Sequence, residues 1–258
     1  KLTSAGPQWT GQIRTVEAAL LEPLSWRKPA RVFVNSMSDL FHEDVPDAFI
    51  ERVFSVMALA ERHTFQVLTK RPARMQAWFA ARRFDVKDSA ILQTEIGCEC
   101  HYAFPWPLPN VWLGVSVESQ KYADERIPLL LQTPAAVRFI SAEPLLGPVH
   151  LYDHWIGEKS ARDGTGPALE WARPWLDWII VGGESGPGAR PMDLAWARSI
   201  VQQCKAAGVA VFVKQVGSRP DGWWTNELGP RFNRHALTDK KGGDMAEWPN
   251  DMRIREFP

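Results

Sequence analysis

Residues 31–46 read RVFVNSMSDLFHEDVP. The run Val32, Phe33, Val34 has the apolar, β-branched and aromatic character of a buried strand. Asn35, Ser36, Ser38, Asp39, His42, Glu43 and Asp44 follow almost at once. A core strand that delivers so many polar groups at its carboxyl end is either entering a turn, where Ser, Asn and Asp are favoured for local reasons, or carrying a site. The other strands separate these readings.

Five further β-rich runs occur at 64–69, 111–117, 137–141, 176–181 and 209–214. They are continuous apolar runs rather than alternations, as expected of parallel strands covered on both faces. Helical patterns lie between them. Over 46–62, Phe49, Ile50, Val53, Phe54 and Met57 share one stripe, with Pro46 suited to a first turn. Met75, Trp78 and Phe79 are spaced helically within 73–83. A third helix, 121–132, is expected to bend or restart at Pro128. The fourth, 193–207, has Asp193 as N-cap, an apolar stripe of Leu194, Ala197, Ile200, Val201 and Cys204, and Gly208 as its stop. This alternation predicts an α/β fold, a partial or complete (β/α) TIM-type barrel of parallel strands with loop insertions. The 258 residues are expected to form a single βα-barrel domain, with insertions at 82–109 and 152–174 and an irregular C-terminal segment from 218 to 258.

All six strands turn from apolar to polar at the same end. The second runs into Thr69, Lys70 and Arg71, the third into Ser116 and Glu118, and the fourth into Ser141 and Glu143. The fifth runs into GGESGPGARP (182–191), with Glu184, Ser185 and Arg190, and the sixth into Lys214 and Gln215. In a βα barrel these ends converge on one mouth. A doubly wound sheet needs functional tips only at its switch point. One polar tip reads as a turn, but Lys70, Glu118, Glu143, Glu184 and Lys214 arriving together read as a site, because clustered charges are costly unless paired or used. The glycine-rich run is neither a Walker loop nor a dinucleotide fingerprint, although its backbone N–H groups can approach an anion closely.

A formal net charge of zero gives no global pull toward nucleic acid or membrane, and no apolar run approaches a spanning length. Three cysteines are too few for a disulfide framework and fit a reducing cytoplasm. Cys98, Cys100 and His101 offer three soft ligands where structural zinc wants four, so no metal site is expected. The 13 tryptophans read as core and rim packing. His63, at a helix–strand junction, reads as structural, and His42 as a secondary site candidate.

The segments VFVNSMSDLFHEDVP, FQVLTKRPARM, LPNVWLGVSVESQ, RFISAEPLLGPV, DWIIVGGESGPGARPM and KGGDMAEWP closely resemble a phage-associated family of bacterial and bacteriophage proteins. That family is similar to radical S-adenosylmethionine enzymes, with spore photoproduct lyase among the suggested relatives. The resemblance implies a cysteine-rich loop upstream of WRKPARVFVNS, holding a [4Fe-4S] cluster by three thiolates. Cys98, Cys100 and Cys204 lie downstream without that spacing, so residues preceding Lys1 are expected to carry it. The resemblance further implies S-adenosylmethionine as cofactor, contacted by Asn35, Ser36, Ser38, Asp39, Ser116 and Glu118. Glu143, Glu184 and Lys214 are then expected to be catalytic. Thr69, Lys70, Arg71, Ser185, Arg190 and Gln215 are expected to face a small-molecule or nucleic-acid substrate.

Two other readings of the tips stand beside this one. Glu143 and Glu184 on separate strands suit a barrel glycoside hydrolase, for which a separation of about 5–5.5 Å would indicate retention. Lys70, Arg71 and Arg74 with exposed Trp suit a non-catalytic nucleic-acid binder.

Overall fold

The computed structural model describes residues 2–3, 6–7, 11–81, 105–157, 175–223 and 231–258. Six strands, β1 (Arg31–Val34), β2 (Thr64–Thr69), β3 (Val111–Ser116), β4 (Val137–Ala142), β5 (Trp178–Gly182) and β6 (Ala210–Gln215), form one sheet. Every neighbouring pair is parallel, and spatial order equals chain order from β1 to β6. Helices α1 (Asp47–Leu59), α2 (Pro72–Ala80), α3 (Gln120–Leu131) and α4 (Leu194–Ala207) follow β1, β2, β3 and β5, and a short helix, Asp153–Ile156, lies between β4 and β5. Among the described residues the strand order of this sheet never reverses, so it shows no switch point of the doubly wound kind. The sheet curls into a half-barrel, with β1 and β6 as its edges.

Two apolar faces explain the continuous strand runs. Val67, Leu113, Ile140, Val181 and Val213 point into the main core, under Phe54 and Met57 of α1, Trp78 of α2, Ile127 of α3 and Ile200 of α4. The alternate positions Trp112, Phe139, Trp178, Ile180 and Phe212 form a second cluster on the opposite, concave face. Gly114 makes this possible, since a Cβ there would stand 2.5 Å from the Phe139 ring.

Helix α4 is capped as its sequence predicts. The Asp193 side chain accepts from the Ala195 N–H at 2.8 Å, and Gly208 ends the helix at φ 72°. Helix α3 runs from Gln120 to Leu131 with Pro128 inside it, so it does not restart at the proline. The proline removes one backbone donor, but buried Ala123, Ile127 and Leu130 hold the helix on the sheet on both sides of it. Of the expected insertions, 82–104 and 158–174 lie outside the described residues, and with them Cys98, Cys100 and His101.

His63 joins the segment preceding the sheet to β1. Its Nδ1 accepts from the Ala30 N–H at 3.1 Å, so Nε2 carries the proton it gives to the Pro23 carbonyl at 3.0 Å. The β6 edge is covered by the chain's own C-terminal residues. Val213 N–H donates to the Ile254 carbonyl at 2.9 Å and Glu256 N–H to the Val211 carbonyl at 3.0 Å. Phe257 then packs on Trp178 and Phe212 at 5.3 and 5.2 Å, with the Arg31 guanidinium 3.7 Å over its ring. One aromatic side chain thus touches both edge strands. Among the described residues, no helix is long and apolar enough to cross a membrane.

Candidate functional site

The carboxyl ends of the strands lie side by side because the sheet is wholly parallel, and their polar side chains join into one band. At the β1 tip, Asp39 is an acceptor with every oxygen engaged. Oδ1 accepts from Phe41 N–H (2.9 Å) and the Thr69 hydroxyl (2.7 Å); Oδ2 accepts from Lys70 N–H (2.9 Å) and Arg71 Nη1 (3.1 Å). Thr69 is buried, and its oxygen also accepts from Arg71 N–H. Arg71 completes the group through Nε to Glu43 Oε2 at 2.7 Å, and those hydrogen bonds hold the Glu43 carboxyl below its ordinary range. Asp39 and Thr69 therefore brace the rim. Asn35, Ser36 and Ser38 stand exposed on the turn before them, Asn35 at φ 59°.

Lys70 Nζ crosses to Glu118 Oε1 at 2.6 Å, linking β2 to the β3 tip. Glu118 is buried, and its other oxygen meets Arg126 Nη1 at 3.0 Å. Arg126, from α3, also donates to the Ser116 carbonyl at 2.8 Å and lies 4.1 Å from the Tyr122 ring centroid. Sequence reasoning missed this arginine. It lies in a helix rather than at a strand tip, and its approach depends on helical phase. Glu143, at the β4 tip, receives Lys214 Nζ on Oε2 and Gln215 Nε2 on Oε1, both at 3.0 Å. Gln215 Nε2 also donates to the Gly183 carbonyl at 2.9 Å.

On the glycine-rich loop, Glu184 is clamped by Arg190. Nε and Nη2 donate to its two oxygens at 2.7 and 3.1 Å, and Arg190 N–H adds a bond at 2.9 Å. The guanidinium and backbone donors hold the Glu184 carboxyl below its usual value. Ser185 is exposed on the same loop. The loop is anchored by Gly186 N–H to Ser218 Oγ at 3.0 Å and Ser218 N–H to the Glu184 carbonyl at 2.8 Å. Gly183, Gly217 and Gly242 meet backbone to backbone, so the C-terminal segment packs directly against the mouth.

Beside β1 lies an open groove of about 1220 Å³. Its floor includes Val32, Val34, Phe49, Val53, Met57 and Phe65, and its polar end is formed by Asn35, Ser38, Asp39, His42, Lys70 and Arg71. Ser36, Ser116 and Glu118 do not line it, nor do Glu143, Glu184 or Lys214. The expected residues thus divide between this groove and the ion-paired band over β3 to β6. Among the described residues, no group of His, Cys, Asp and Glu is arranged to hold a metal ion.

A family model described as Protein of unknown function (DUF5131) matches residues 2–247, and the chain belongs to that family. No curated protein and no solved structure matches it.

Proposed function

We propose that this DUF5131 protein binds S-adenosylmethionine in the groove beside β1, as an enzyme of the radical S-adenosylmethionine type. The observation that carries the reading is the groove's two-sided character. An apolar floor runs into hydrogen-bonding groups at the carboxyl edge of a parallel half-barrel, which suits a ligand with a flat adenine at one end and a charged amino acid at the other. Asn35 and Ser38 are the groups positioned to contact the polar end, since the Asp39 oxygens are already occupied. Asp39 acts by holding Thr69 and Arg71 in place.

A [4Fe-4S] cluster would supply the electron that cleaves this cofactor. The described residues do not fit such a cluster. Among the described residues the one cysteine is Cys204, buried in α4, so they offer no set of three thiolates. These residues are therefore assigned binding and orientation only.

Two observations weigh against the other readings. A glycosidase general acid needs a raised pKa, whereas Glu184 is lowered by Arg190 and Glu143 is paired with Lys214. For a non-catalytic nucleic-acid binder, a formal net charge of zero supplies no global attraction to a polyanion.

Calorimetric titration with S-adenosylmethionine tests the proposal. The wild-type chain should bind it saturably, and an Asn35→Ala/Ser38→Ala double variant should bind about tenfold more weakly, the effect of losing one or two net hydrogen bonds. Absence of binding by wild type at millimolar ligand would overturn the reading.

A further inference from the structure

The same arrangement recurs at three successive strand tips. Each of β3, β4 and β5 ends in a glutamate that is sheltered, and each glutamate holds a cation that is over half exposed. Side-chain exposures are 9% for Glu118 against 56% for Lys70, 17% for Glu143 against 55% for Lys214, and 32% for Glu184 against 56% for Arg190. The carboxylates sit behind and the cations in front. Arg126 adds a second positive partner to Glu118, so four cations face three carboxylates in the band. The three tips belong to one edge, because β3, β4 and β5 are consecutive neighbours in a parallel sheet.

A row of cations fixed by counter-charges less exposed than themselves differs from a set of mobile surface lysines. Pairing with the glutamates has already restricted the long side chains, so a ligand meets donors whose entropy is largely lost beforehand. Each ammonium or guanidinium keeps N–H donors beyond those given to its glutamate. The exposed Ser185 hydroxyl stands on the same rim. Several donors spread over neighbouring tips suit a group with three or more peripheral oxygens better than a two-oxygen carboxylate.

We infer that the mouth of the half-barrel takes a substrate carrying a phosphate, held between Lys214 and Arg190 with Lys70 at the far end. This deepens the cofactor reading by giving that site a substrate class, and it uses Lys214 and Arg190, which do not line the cofactor groove. The cofactor and the substrate phosphate then occupy adjacent halves of one carboxyl edge.

Inorganic pyrophosphate is the probe, titrated into the full chain by calorimetry at low ionic strength. Saturable binding is expected, weakened at least tenfold in a Lys214→Gln/Arg190→Gln variant, whose carboxamides can still donate to Glu143 and Glu184. Charge-retaining Lys214→Arg should keep most of the affinity that Lys214→Gln loses. Wild-type protein gives a second readout, in which pyrophosphate should shield Lys214 from acetylation, read by peptide mass spectrometry. No binding, equal binding by the double variant, or unchanged Lys214 reactivity would overturn the inference. S-adenosylmethionine titrated into the same proteins keeps the two readings apart. Its binding should survive the double substitution, so loss of either ligand alone indicts one reading and spares the other. Comparing adenosine 5′-monophosphate with a single-stranded oligonucleotide then shows whether the phosphate belongs to a small molecule or a polymer, the tighter binder naming the source.

Discussion

Lys214 Nζ lies 3.0 Å from Glu143 Oε2 although a whole strand, β5, separates their own strands. The glutamate reaches that far by passing over Gly182. A Cβ at Gly182 would stand 3.2 Å from Glu143 Cγ and Cδ, so the absence of a side chain opens the path. Gln215 fastens the arrangement by bonding both Glu143 and the Gly183 carbonyl, and one carboxylate ties three strand tips together.

The two adjacent glycines should therefore respond differently to alanine. At Gly183 a Cβ would sit 2.5 Å from the Val216 carbonyl oxygen, a backbone atom, so Gly183→Ala should cost about 2–3 kcal/mol in urea unfolding. Gly182→Ala meets a side chain that can move, and should cost less than about 1 kcal/mol while displacing Glu143 and weakening pyrophosphate binding. Equal stability losses in the two variants would contradict this geometry.

Asp39→Ala should destabilise the fold by roughly 2–4 kcal/mol, because it strips four hydrogen bonds from the junction of β1 and β2 and leaves the Thr69 hydroxyl and part of Arg71 unpaired. Ser38→Ala, one residue earlier and exposed, should change stability by less than about 0.5 kcal/mol. Urea midpoints of the two variants decide whether Asp39 braces the rim. An unchanged midpoint for Asp39→Ala would mean that it does not.

Acid should act on the Glu184–Arg190 clamp. A carboxyl whose folded pKa lies below its unfolded value adds stability above the unfolded value and loses it as pH falls through the folded one. Glu184 is held below its ordinary 4.5 by Arg190, so its contribution is present at neutral pH and fades only below that value. Glu184→Gln should make the fall of stability between about pH 5 and pH 3 shallower, with Glu43 and Asp239, also lowered, contributing to the slope that remains. Parallel acid-unfolding curves for wild type and variant would count against the clamp.

Deleting residues 254–258 should uncover the β6 edge. The loss includes two backbone hydrogen bonds to β6, the bond from Trp178 Nε1 to the Glu256 carbonyl at 2.9 Å, and the Phe257 contact between both edges. We expect destabilisation of about 2–4 kcal/mol and a red shift of tryptophan emission. Light scattering should rise with concentration, since an uncovered edge strand templates association. Unaltered emission and stability would show that the C-terminal residues merely rest on the sheet.

Much of the architecture could be read from particular residues. The apolar runs around Val67, Val115, Ile140, Val181 and Val213 announced parallel strands because a strand buried on both faces shows no alternation. Asp193 and Gly208 marked the ends of α4 because their capping chemistry is local. Pro128 left a bend or a restart open, and the continuous helix excludes the restart. Its local cost is real, but burial of Ile127 and Leu130 outweighs it, and burial is not a local property. The strand-tip residues were equally visible as polar groups following apolar runs, whereas Arg126 was not, since nothing in the spacing from Glu118 shows that a helix will bring it back to the third strand.

The sequence by itself determined the class of fold, the order of its strands and the end of the sheet where charge collects, because each depends on patterns within some ten to fifteen residues. Tertiary structure decided how those charges pair. Asp39 meets Arg71, Glu118 meets Lys70 and Arg126, and Glu143 meets Lys214 across β5. These partnerships join residues up to 71 positions apart. Coulombic and hydrogen-bond energies depend on distances of a few ångströms, and only the curl of the sheet and the missing side chain at Gly182 bring the groups that close.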